Sequence, residues 1–251
     1  HLPFAVYTAS YKIYRPHGTN CWGASADYEL RLGNCILHGE TSTDGNGVAT
    51  LNTLEWRQSR MTTTLSQRYY SRAYHSFMSR ALSESGVQNE HGYYVSVVAE
   101  PLPYLTIRAY ADVFFMPHEQ YLIPHSTCGQ DFRLQMALDL GNHQLEAKAQ
   151  WKHKEVYYAK YVSQKYALAH RVTMGAWQLR TQVQMHHYST AAGERKIGFS
   201  AQPTLRWDNN RWRVVLASAW FCTDDYYSRV YVMQPSVTGS RSTMLYGHGM
   251  M

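Results

Sequence analysis

Apolar and polar residues alternate with period two along most of this chain, and the stretch Phe132–Lys152 shows it plainly. Phe132, Leu134, Met136, Leu138 and Leu140 fall on one face, with Arg133, Gln135 and Asp139 on the other. After Gly141-Asn142 the pattern resumes, setting Leu145, Ala147, Ala149 and Trp151 against Glu146, Lys148, Gln150 and Lys152. Period two predicts strands, and a two-residue Gly-Asn link predicts a tight hairpin.

The same reading predicts strands over 4–15, 22–32, 35–40, 48–58, 61–72, 93–101 and 104–116. It continues over 166–177, 179–189, 196–207, 211–221 and 227–234, about 14 strands in all with short polar links. Only 74–88 departs, as a short helix or an ordered loop. The turn-rich "STDGNG" at 42–47 resembles part of a calcium loop, but full spacing would put Thr53 where a bidentate Glu belongs, between flanking helices. It is read as a hairpin turn in which Asn46-Gly47 supplies the positive φ.

Consecutive hairpins without crossover helices give an up-and-down meander. About 14 strands over-twist as one open sheet, so the sheet must close or split. In a soluble sandwich the apolar face would meet a core. In a membrane barrel it would meet lipid, with the charged residues inside. Strands of about ten residues with one charged face favour the second. The expectation is one all-β domain over 1–251: an antiparallel up-and-down transmembrane β-barrel of a Gram-negative outer membrane, with about 14–18 strands when complete.

Composition adds to this picture in three places. The 21 Tyr beside 7 Trp and 7 Phe suit strands and a membrane interface. No run of about 18 apolar residues occurs, so no transmembrane helix is expected. The net charge of +6 comes from scattered Lys and Arg rather than a basic run, which argues against a nucleic-acid partner. The chain opens without Met and ends "YGHGMM" without a recognisable strand, and so reads as a fragment. Cys21, Cys35, Cys128 and Cys222 show no zinc spacing. A Cys21–Cys35 disulfide is one option, but four unpaired thiols are favoured. No metal or cofactor is expected.

Candidate chemistry is sparse. Asp224 and Asp225, with His186 or His187, could activate a water at a barrel rim. The competing reading has the two Asp cap a loop and pair with Arg229. Ser126 and Ser228 lack a nucleophile elbow. More informative are the residues expected to line a lumen: Arg108, Asp112, Arg133, Gln135, Glu146, Lys148, Lys152, Arg171, Arg180, Arg211 and Arg213. Such groups are costly in lipid and fall on one face of successive strands. Because both signs alternate, a salt-bridged lumen is favoured over an anion-preferring pore. The role expected is a channel or a structural component of a larger envelope assembly, the alternative being a rim hydrolase. Outer-membrane lipid and lipopolysaccharide, and other envelope proteins, are the expected partners.

Several stretches together resemble a family of Bacteroidetes outer-membrane β-barrel proteins, often labelled helix-hairpin-helix domain proteins. They are Gly39-Glu40 after "NCIL", "QRYYSRAYHS" (67–76), "NEHGYY" (89–94), "RAYADVFFMPH" (108–118), "FCTDDYYSRVYVMQPSV" (221–237) and "YGHGMM" (246–251). The resemblance spans nearly the whole chain and implies an outer-membrane barrel. It departs in two ways: no helix-hairpin-helix segment is present to carry a DNA-related role, and family members continue past the Gly-His-Gly-Met region with further strands.

Overall fold

The computed structural model describes residues 21–76, 81–84, 86–156, 159–209, 211–236 and 239–250. The strands expected at 4–15 lie outside them. The described residues form β1 (Ala24–Leu32), β2 (Cys35–Thr43), β3 (Val48–Gln58), β4 (Met61–Tyr70), β5 (Glu90–Leu102), β6 (Leu105–Met116), β7 (Thr127–Leu140) and β8 (His143–Val156). There follow β9 (Ala159–Met174), β10 (Trp177–Thr190), β11 (Arg195–Asp208), β12 (Arg213–Ala217), β13 (Trp220–Thr223), β14 (Val230–Ser236), β15 (Gly239–Leu245) and β16 (His248–Met250). A 14-stranded antiparallel sheet runs in chain order from β1 to β11, then through β13 to β16, with β12 also paired to β11. Segment 74–88 forms no helix among its described residues.

Three expectations are corrected here. The strand expected at 211–221 is two strands, β12 and β13, broken at Ser218-Ala219. The strand expected at 227–234 leaves the main sheet and pairs with β15 as a separate hairpin. The terminal "YGHGMM" does hold a short strand, β16, which pairs with β13. A fourth concerns the 44–47 turn. Its positive φ sits at Gly45 (+83°) rather than at Asn46-Gly47. The Asp44 carboxylate accepts from the N–H groups of Asn46 and Gly47 at 3.0 and 2.8 Å, and that Asx-type closure moves the strained position one residue earlier.

Odd-numbered strands up to β9 are followed by the tightest turns, and the two longest loops follow even-numbered strands. Those after β1, β3, β5, β7 and β9 are two residues each, whereas 71–89 and 117–126 take nineteen and ten. Short turns on one side and long loops on the other are characteristic of outer-membrane barrels.

Burial runs opposite to that of a water-soluble fold. Leu134, Met136, Leu168 and Met185 share one apolar patch of β7–β10, and Leu168 is 56% exposed. Trp177 lies beside Trp207, ring centroids 6.2 Å apart and planes tilted by 42°, on the same side beside the β9–β10 turn, where an aromatic ring suits a membrane interface. Among the described residues the largest fully buried side chains include Arg68 and Glu90. In the opening hairpin the contrast is weaker. Leu134, Met136 and Leu145 are exposed, but so are Arg133 and Lys148, while Leu138 and Trp151 are half-buried.

The chain divides into two compact units. One comprises residues up to Val98 with Tyr110–Asp131 and Lys154–Ala159. Its small apolar cluster is Ala49, Tyr70, Tyr74 and Val87, and the Tyr70 hydroxyl donates to the Leu82 carbonyl at 2.8 Å, tying the 71–89 loop down. Beside it Arg68 donates to Glu90 at 2.5 Å and to both Asp112 oxygens at 2.7 and 3.2 Å. The other unit comprises Ala99–Ala109, Phe132–His153 and Lys160–Met251. Here Val230, Val232 and Leu245 of the β14–β15 hairpin pack with Ala219 and Phe221.

Candidate functional site

Leu179, Val183 and Met185 take the apolar side of β10, so Gln178, Arg180, Gln182, Gln184 and His186 take the polar side. Register then fixes their neighbours. Arg180 lies opposite Arg171 of β9 and Thr204 of β11, and Gln182 lies opposite Gln202. At the strand end Asp208 faces Arg213 of β12.

The β14–β15 hairpin lies on this polar face. Gln184 Nε2 donates to the Tyr231 carbonyl at 2.8 Å, and Gln202 Nε2 donates to the Met233 carbonyl at 2.6 Å. The Met233 N–H returns a bond to Gln202 Oε1 at 3.3 Å. Side-chain amides thus satisfy the backbone of a strand that has left the ladder. Between hairpin and sheet is a cavity of about 1000 Å³, walled by Arg171, Arg180, Arg206, Arg213 and Arg241, with no carboxylate in its lining. A smaller recess of about 220 Å³ is lined in part by Arg133, Gln135, Lys148, Lys165 and Arg229.

Residues expected in a lumen fall into four groups. Arg133, Gln135, Lys148, Arg171, Arg180 and Arg213 line these two spaces. Glu146 accepts from Gln135 at 2.6 Å and pairs with Lys148 at 2.9 Å, while Lys152 is half-buried on β8 and Arg108 is exposed on β6. Asp112 is locked to Arg68. Arg211 is not on a strand at all. It sits exposed in the 209–212 turn, its N–H bonded to Asn209 Oδ1 at 2.9 Å.

The Asp/His couple is not assembled. Asp224 Oδ2 accepts the Ile197 N–H at 2.7 Å, extending the edge of β11. Asp225 Oδ1 accepts from the N–H groups of Tyr227 and Ser228 at 2.8 and 3.2 Å. The nearby cation is Lys196, 3.8 Å from Asp225, and not the expected Arg229, which lies over the Tyr226 ring at 4.3 Å. His186 Nδ1 is 3.1 Å from the Arg229 carbonyl, which can only accept, so the proton is assigned to Nδ1. Its Nε2 then accepts from Ser163 Oγ at 2.9 Å. Both ring nitrogens are engaged. His187 Nδ1 meets Gln164 Oε1 at 3.2 Å. Ser228 is buried and donates to the Asp225 carbonyl, and Ser126 is exposed. All four cysteines are free.

Sequence reasoning missed Arg68, Glu90, Lys165, Arg206 and Arg241, and it missed the hairpin laid on the polar face. A signal for the hairpin was present: Pro235 has no N–H to give a ladder and belongs on an edge strand.

No protein-family profile and no curated protein matches the chain. Solved structures do. In-vitro folded OmpT, an outer membrane protein of Vibrio cholerae, is similar with a TM-score of 0.53 at 7% identity, over 91% of this chain and 85% of that one. Outer-membrane expressed OmpT of Vibrio cholerae gives a TM-score of 0.51 at 7% identity, over 91% and 86%. The fold is therefore that of an antiparallel up-and-down outer-membrane β-barrel.

Proposed function

We propose that this outer-membrane barrel is a water-filled channel of a Gram-negative outer membrane that favours small anionic solutes. The observation that carries this reading is the polar face of β7–β12. Its two spaces are walled by Arg133, Lys148, Lys165, Arg171, Arg180, Arg206 and Arg213, and among the described residues no acidic side chain lines either. A passage lined by one sign of charge raises the local concentration of the opposite ion and biases permeation toward it. The ion-paired lumen favoured on sequence grounds holds locally, at Arg68, Glu90 and Asp112. At the arginine-lined cavity it is only partial, one carboxylate, Asp208, serving both Arg206 and Arg213.

In this reading the exposed apolar side contacts lipid and lipopolysaccharide. The rim hydrolase loses its support, because both nitrogens of His186 and both Asp carboxylates are committed to the backbone or to Ser163. The test is reversal potential in planar bilayers across a salt gradient. Anion preference is expected, falling toward neutrality when Arg180 and Arg206 are replaced together by Gln. Cation preference, or no conductance from folded protein, would overturn the proposal.

A further inference from the structure

The arginine cavity is more specific than a general basic field requires. Arg171 and Arg180 are direct cross-strand partners on one face, an arrangement of like charges that destabilises a sheet. Arg171 donates Nη1 to Gln144 Oε1 at 2.9 Å, but its Nε–H is buried and meets no acceptor among the described residues. Buried donors of this kind are rarely left unmet. Arg206 and Arg213 share one carboxylate, Asp208, which stands outside the lining. Five arginines less one aspartate leave a local surplus of four positive charges.

We infer that this cavity is a binding site for a small solute carrying two phosphate groups. Each phosphate monoester carries about 1.5 to 2 negative charges at neutral pH, so two of them match the surplus. Guanidinium forks bind phosphate oxygens in bidentate fashion, and a phosphate offers three such oxygens where a carboxylate offers two. The cavity, at about 1000 Å³, has room for two linked phosphates and an organic body attached to them. Gln182 on the same wall, whose Oε1 accepts from Arg180 at 2.8 Å, presents its amide N–H groups to hydroxyls of that body. The site deepens the channel reading and rests on the polar face being reached by water.

The test is calorimetric titration of the full chain, refolded in detergent, with inorganic pyrophosphate and with orthophosphate. Pyrophosphate is expected to bind about tenfold more tightly than orthophosphate. Arg171→Gln and Arg241→Gln, at opposite walls, are each expected to weaken pyrophosphate about tenfold, by loss of a charge-assisted bond. Arg133→Gln lies outside the cavity and is expected to leave the titration unchanged, though it shifts reversal potential in the bilayer. Equal weakening by Arg133→Gln would reduce the site to a diffuse field and overturn the inference. So would equal affinity for the two anions, or no heat from protein shown to be folded by heat-modifiable gel mobility. Each of these leaves the bilayer measurement, and so the channel reading, to stand or fall separately.

Discussion

Arg68 offers the sharpest test of how this fold is held together. Its side chain is 1% exposed, and it bridges Glu90 (0% exposed) and Asp112. Glu90 also receives the Glu84 N–H, at 3.1 and 2.9 Å to its two oxygens, so one guanidinium ties β4, β5 and β6 to the 71–89 loop. In Arg68→Met the alkyl volume is largely kept, while two carboxylates face each other with one fewer partner. Breaking a buried pair by removing one member costs about 3–5 kcal/mol, most of it from the charge left behind. The triple change Arg68→Met, Glu90→Gln, Asp112→Asn removes the charges together and is expected to recover most of that loss. Urea unfolding in lipid vesicles, followed by tryptophan fluorescence and by heat-modifiable mobility, measures both. The reasoning fails if Arg68→Met lies within about 1 kcal/mol of wild type, or if the triple variant is no more stable than the single.

Leu168→Arg places a charge in the middle of β9 on the lipid-facing side, and should cost about 2–4 kcal/mol by the same urea assay if the position lies near the bilayer midplane. Lys148→Gln removes only an exposed pair with Glu146, so stability should change by less than about 1 kcal/mol while bilayer reversal potential moves toward cations. Gly198→Ala would put a Cβ 1.9 Å from the Ser228 carbonyl oxygen, both backbone-fixed, so the 224–229 loop must lift. Limited proteolysis should then cut within that loop, with the remaining barrel still heat-modifiable; resistance equal to wild type would refute the close approach.

How far the sequence could be read depended on the range of the interactions. Period-two alternation is local, so β1, β3, β6, β10 and β11 were legible to within a few residues, as was the exposed apolar side of Leu134, Met136 and Leu145. The hairpin β14–β15 alternates just as well, with Val230 and Val232 on one side, and looked like one more barrel strand. What sends it onto the polar face is the pairing of Gln184 and Gln202 with its backbone, 47 and 31 residues away in the chain. Arg68, Glu90 and Asp112 come from three strands in the same way, and no spacing announces them. Arg211 was misplaced for a simpler reason: Asn209 closes a turn on the N–H groups of Arg211 and Trp212, and the strand begins only at Arg213.

The unequal connections also bear on how the chain folds. Each two-residue turn lets its hairpin zip from neighbouring residues, with little chain entropy lost at closure. Pairing β4 with β5 must instead close the nineteen-residue segment 71–89, which on a logarithmic cost costs a little over 1 kcal/mol more than closing the four residues 44–47. The Arg68 network forms only once that gap is shut, because its three members come from both sides of it. The native ion cluster is thus a late contact, and mutations there should speed unfolding far more than they slow folding.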